Sequence, residues 1–195
     1  MITRFPILVL ANYRTGSSTL AYNLSKEYNL YFFPEPLRVT EENDRPMSRL
    51  AKRIRNGKNN FIIKFMPDQM NDCHRYVDIY NSDCYKIKLQ RRDKIAQIAS
   101  HYVSCVSGIW HSANPAERGE RFAPPIYIND IDFSIDLILD NEKIFATLDA
   151  KFDQELYYED LNLESDKWVK LNAPDNYDEI CSVIKHRLQQ RGLQI

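Results

Sequence analysis

Glycine is scarce in this chain. Of 195 residues only five are glycine and no two stand two apart, so the G-x-G-x-x-G turn of dinucleotide-binding sheets is excluded. No glycine is followed by Lys-Ser or Lys-Thr, which removes the G-x-x-x-x-G-K-[ST] phosphate loop; the nearest pair, Gly57-Lys58, precedes Asn59. Cysteine is also sparse. Cys73, Cys84, Cys105 and Cys181 form no C-x-x-C, and with His74, His101, His111 and His186 they make no zinc-type spacing, so free thiols in a reducing compartment are expected. No run approaches the ~20 apolar residues of a membrane span, and the first residues lead directly into a strand pattern, so the expectation is a cytoplasmic protein with no membrane partner. Asn23-Leu24-Ser25 matches a glycosylation acceptor only by chance, lying inside a helical pattern. An excess of either charge is missing too. With 26 Lys and Arg against 27 Asp and Glu, the net charge of −1 argues against a basic face for nucleic acid while leaving room for a basic pocket. No carboxylate pair points to a metal.

What is present is an ordinary globular composition, 44% hydrophobic and 27% charged, at a length that fits one domain over residues 1–195. Phe5 to Ala11 is an unbroken apolar run of strand length, suited to burial on both faces of a parallel sheet. Asn12 to Gly16 breaks it, and Leu20, Leu24 and Tyr28 then mark one stripe of a helix from Ser17 to about Tyr28. Leu30 to Phe33 reads as a short strand stopped by Pro34 and Pro36, and Arg45 to Asn56 as a basic helix ended by Gly57. The pattern continues as strand 60–65, helix 68–80, strand 84–90 and helix 94–106. This alternation predicts an α/β fold, a parallel sheet flanked by helices. Gly108 to Pro125 reads as a long loop. Leu137, Ile144, Phe145, Leu148 and Phe152 suit an amphipathic helix starting near Asp132, followed by a strand at 154–158 and a helix at 177–191.

Chemistry concentrates between the first strand and the first helix, at Tyr13-Arg14-Thr15-Gly16-Ser17-Ser18-Thr19. A tight glycine turn opening a helix directs free backbone N–H groups, and the positive end of the helix dipole, at one point. Ser17, Ser18 and Thr19 add hydroxyls, and Arg14 a planar fork of donors. The stretch is either an anion cradle or a helix start capped by Ser17. A second basic start, Arg91-Arg92-Asp93-Lys94, follows a strand and opens a helix that carries Ser100, with Asp93 as its candidate cap.

In order and spacing these segments resemble the sulfotransferases that use 3′-phosphoadenosine-5′-phosphosulfate (PAPS). Arg14-Thr15-Gly16-Ser17-Ser18-Thr19 is similar to that family's 5′-phosphosulfate loop, and Arg92 with Ser100 to its 3′-phosphate motif. The wording R-R-D-K-x-x-Q-x-x-S is closest to the bacterial branch that includes trehalose sulfotransferase. Pro34-Glu35-Pro36-Leu37 is similar to the E-P step of glycan sulfotransferases, where the Glu is the proposed base. Lys64 stands where relatives place a strand-end lysine, and could face either an anion in the crevice or solvent on an outer strand. Trp110-His111 resembles a segment that frames the acceptor in the bacterial branch. Tyr157-Tyr158-Glu159-Asp160-Leu161 is similar to a late R-Y-E-D-L segment with Tyr157 in place of Arg, and is expected to be a strand end and turn that help close the sheet.

The resemblance spans residues 5 to about 161 and implies the P-loop-like sulfotransferase fold. It implies transfer from PAPS, leaving the 3′,5′-bisphosphate, to a hydroxyl of a carbohydrate or small metabolite without a metal. Arg14 and residues 15–19 would hold the phosphosulfate, Arg92 and Ser100 the 3′-phosphate, and Glu35 would act as base with His111 as its alternative. Arg14 and Lys64 would offset developing charge. The chain lacks most of the long acceptor-binding insertions of the family. Two other classes stay open: a phosphotransferase, which would bind ATP with Mg²⁺, and a nucleotide-binding module without turnover.

Overall fold

A computed structural model describes residues 2, 4–34, 56, 58–70, 83–108, 128–148, 151–163 and 173–193. The basic helix expected at 45–56, most of the helix expected at 68–80 and the loop at 109–125 lie outside the described residues. Two compact units are present, Met1–Gln90 with Asn141–Leu163, and Arg91–Asp140 with Glu164–Ile195.

The first unit is a five-stranded sheet whose strand pairs are all parallel. Strand β1 (Ile7–Ala11) lies between β3 (Phe61–Phe65) and β4 (Tyr85–Gln90), with β2 (Tyr31–Pro34) and β5 (Gln154–Tyr157) at the edges. Every residue of β1 and β3 is buried, as uninterrupted apolar strands require when both faces are covered. Alternation sorts the side chains. Leu8, Leu10, Phe61, Ile63 and Phe65 share one cluster with Phe145, while Ile7, Val9, Ala11 and Ile62 share the other with Leu20 and Ala21 of helix α1 (Ser17–Glu27). Each such buried aliphatic contributes roughly 1.5–3 kcal/mol. The result is the expected α/β architecture, a parallel sheet flanked by helices.

Strand order places the candidate ligand edge. From β1 the chain passes to β2 at one side of the sheet, returns through β3, then crosses to β4 on the other side. The carboxyl end of β1 is therefore the point where connections diverge, the usual ligand crevice of an open α/β sheet. Helix α1 closes at Tyr28, whose N–H donates to Leu24 O, and Asn29 turns left-handed at φ 51°. Edge strand β5 is fixed at its start. Arg4 bridges Asp83 and Asp153, and Asp153 accepts the Lys86 N–H at 2.8 Å.

In the second unit, Asp93 caps helix α2 (Lys94–Ser107) by accepting the Ala96 N–H at 2.8 Å, and left-handed Gly108 (φ 68°) ends it. Helix α3 (Ile131–Thr147), which begins in this unit and ends in the first, is shorter than the apolar pattern suggests. It ends before Leu148 and Phe152, which pack against the sheet cluster from outside the helix. Helix α4 (Tyr177–Gln190) buries Ile180, Ile184 and Leu188 and packs on α2. His101 and Ser134 lie 3.0 Å apart in the interior, and Arg191 pairs with Asp132 at 2.7 Å. No helix among the described residues is long and apolar enough to cross a membrane.

Candidate active site

The turn between β1 and α1 is built from inside. Asn12 is fully buried at the end of β1, and its Oδ1 accepts the Tyr13 N–H at 2.8 Å and Asn141 Nδ2 at 3.2 Å. Its Nδ2 donates to Glu142 Oε1 at 3.1 Å. The Thr15 hydroxyl, also buried, donates to the Asn12 carbonyl at 2.9 Å. Around this brace the backbone turns left-handed twice, at Arg14 (φ 59°) and Gly16 (φ 76°). A non-glycine residue in that region is uncommon and marks a site held by its surroundings.

Gly16, not Ser17, is the N-cap of α1, and no side chain caps the helix. The capped-helix alternative therefore fails. The first helical bond runs from Leu20 N–H to Gly16 O at 3.0 Å, so the amides of Ser17, Ser18 and Thr19 precede the helical ladder. No acidic residue stands in this first turn to compete with an anion. Ser17 is buried, whereas Ser18 and Thr19 are half-buried.

Lys64 faces inward. It occupies the inner strand β3 opposite Val9, is only 2% exposed, and its Nζ donates to Ser18 Oγ at 2.8 Å. Of the two orientations open in the sequence, the outer-strand one is thus removed. A buried ammonium at the carboxyl edge of the sheet, tied to a residue of the glycine turn, adds full charge to the dipole of α1.

Three contacts carry no signature in the sequence. Tyr13 Oη donates to Asp68 Oδ2 at 2.9 Å, in the 3-10 turn Pro67–Met70 after β3. The Asn12–Asn141–Glu142 brace joins residues far apart in the chain. Tyr158 and Leu163 close over Gly16, where an added Cβ would stand 2.6 Å from Leu163 Cδ1 and 2.9 Å from the Tyr158 ring. The Tyr157–Leu161 segment does form a strand end and 3-10 turn, Tyr158–Asp160, but it also forms the wall of the glycine turn.

Arg92 and Ser100 belong to the second unit. Arg92 is exposed just ahead of the Asp93 cap, and Ser100 is half-buried within α2. Close by, burial pushes the Tyr177 hydroxyl up to about 12, helped by Cys181 and opposed by Arg91, and burial also raises the Cys181 thiol. Both stay protonated near neutral pH. Cys84, Cys105 and Cys181 are free thiols. Glu35 and His111, the two candidate bases, lie outside the described residues. Among the described residues no cluster of three or more His, Cys, Asp or Glu could hold a metal.

Solved structures similar to this chain include an uncharacterized protein from Eubacterium ventriosum ATCC 27560 and shikimate kinase from Aquifex aeolicus vf5. The first is 11% identical with a TM-score of 0.40, the second 13% identical with a TM-score of 0.41; each alignment covers 96% of this chain and 99% of the other. Among curated proteins no sequence matches. The Stf0 sulphotransferase family model matches residues 55–153, from ahead of β3 through β4 and α2 to the approach of β5, just over half the sequence, and the chain belongs to that family of transferases.

Proposed function

We propose that this protein transfers a sulfuryl group from PAPS to a hydroxyl of a carbohydrate or other small metabolite, in the cytoplasm, with both units acting as one catalytic domain. The observation that carries this reading is the buried Lys64 ammonium bound to Ser18 in a glycine turn, at the divergent edge of the sheet of a chain that belongs to the Stf0 sulphotransferase family. A polyanion is the ligand such a site suits.

The roles divide by charge. Amides of residues 16–19 and the Arg14 guanidinium hold the phosphosulfate, while Lys64, through Ser18, keeps positive potential beside it. Arg92 and Ser100 hold the 3′-phosphate, the group that separates PAPS from ATP. Glu35 takes the acceptor proton, with His111 as the other candidate. The acceptor oxygen forms a bond to sulfur as the bond from sulfur to the bridging oxygen breaks, and that electron pair leaves on the 5′-phosphate. Arg14 offsets the charge appearing there. Positioning and preorganised charge are the protein's main contributions, as in phosphoryl transfer.

Isotopically labelled PAPS, incubated with a small-molecule extract, tests the reading directly. Wild-type protein should label a hydroxyl compound, Arg14→Ala should lose at least about a hundredfold of that rate, and Glu35→Gln should retain bisphosphate binding while transfer falls. Thermal stabilisation by ATP with Mg²⁺ and none by the 3′,5′-bisphosphate would refute the proposal.

A further inference from the structure

We infer that Asp68 is an acceptor-binding residue, whose Oδ1 takes a hydrogen bond from a hydroxyl of the sulfuryl acceptor; the inference rests on the transferase reading above. Leu10 pairs with Phe65, so the segments leaving β1 and β3 emerge side by side. Each returns a polar side chain to the other's neighbourhood. Lys64 reaches Ser18 at 2.8 Å, and Tyr13 reaches Asp68 at 2.9 Å. Asp68 therefore stands at the same sheet edge as the glycine turn, joined to its first residue.

The two carboxylate oxygens are not equivalent. Oδ2 accepts from Tyr13, whereas Oδ1 is buried and has no hydrogen-bond partner among the described residues. A buried carboxylate oxygen without a donor is costly and rare, and each one calls for an explanation in function or in a bound group. The missing partner must donate. A phosphate or sulfonate oxygen would be repelled, and no cluster of metal-binding side chains surrounds Asp68 among the described residues. An O–H group of the acceptor satisfies Oδ1, and Tyr13 holds the carboxylate in orientation to receive it. Asp68 thus supplies acceptor orientation that the short chain does not draw from long insertions.

The test compares Asp68→Asn with wild type, using labelled PAPS and glycerol, myo-inositol, glucose and trehalose as acceptors. Asparagine keeps an oxygen for Tyr13 Oη but puts an amide NH2, a donor, in place of the acceptor Oδ1. KM for the best polyol should rise about tenfold or more, the loss typical of a hydrogen bond to a charged group, while bisphosphate affinity stays within about twofold. Tyr13→Phe should move KM in the same direction by less. An unchanged KM, or bisphosphate affinity falling in step with turnover, overturns the assignment. A wild-type protein that binds the bisphosphate and labels none of the four acceptors overturns this inference alone; one that binds no bisphosphate removes the sulfotransferase reading as well.

Discussion

At the scale of single residues, the turn depends on Gly16 for two separate reasons. Its φ of 76° is open to glycine at little steric cost, and the space a Cβ would fill already holds Leu163 and the Tyr158 ring. Gly16→Ala should therefore destabilise the fold by about 1–3 kcal/mol and abolish bisphosphate binding. Urea unfolding and calorimetry read the two effects, and an alanine variant of native affinity would show that the turn tolerates another shape. The first reason was readable in the sequence as a glycine between a strand and a helix; the second was not, because Tyr158 and Leu163 lie more than a hundred residues downstream. Arg14 presents the opposite case. Its identity pointed to anion binding, but nothing local indicated that its backbone would be left-handed. Ser17 leaves two readings open in the sequence, cradle or cap. Serine is a favoured N-cap, yet here the turn puts glycine in that place and folds Ser17 inward.

At the scale of elements, period and punctuation located β1, α1, β3, β4 and α2 to within about two residues, because each is a continuous apolar run or a clean stripe bounded by polar breaks. Helix α3 ends earlier than its apolar spacing suggests. Leu148 and Phe152 continue its apolar spacing but pack on the sheet from a different backbone path, a tertiary choice that periodicity does not encode. The brace from β1 to α3 was equally invisible, since Asn12, Asn141 and Glu142 are ordinary polar residues in their own segments. Its removal has a definite cost. Asn12→Ala would leave the Tyr13 N–H and Asn141 amide without their acceptor, a loss of about 2 kcal/mol or more. Asn12→Asp keeps the acceptor oxygen but sets a carboxylate beside Glu142, where the wild-type separation is 3.1 Å. Like charges that close raise a carboxyl's folded pKa above its unfolded value, so this penalty is present at neutral pH and fades as pH falls and one group takes a proton. Denaturant midpoints at neutral and acidic pH should converge on wild type at the acidic end. A constant gap would mean that Glu142 does not sense position 12.

For the whole molecule, the two chemical motifs fall in different units, the glycine turn with the sheet and Arg92 with Ser100 on α2. Alternating strands and helices made the parallel sheet legible, and the order of motifs pointed to the family that residues 55–153 match. The division into units was not legible, because it cuts through α3 without any change of composition. If one nucleotide uses both motifs, Arg92→Ala should weaken the 3′,5′-bisphosphate about tenfold or more, the worth of a charge-assisted pair, while adenosine 5′-phosphosulfate, which lacks the 3′-phosphate, should bind wild type and variant alike. Equal weakening of both ligands would assign Arg92 to the fold and leave the 3′-phosphate without its partner.

The wall over Gly16 ties the oldest part of the site, in order of synthesis, to one of the last pieces of the sheet to leave the ribosome. A nascent chain that ends before Gln154 already contains every residue of the glycine turn and of the Asn12 brace, yet lacks the wall over Gly16. The turn is therefore fully enclosed only late, when the edge strand has docked and Tyr158 and Leu163 have come to rest against the backbone that began the fold.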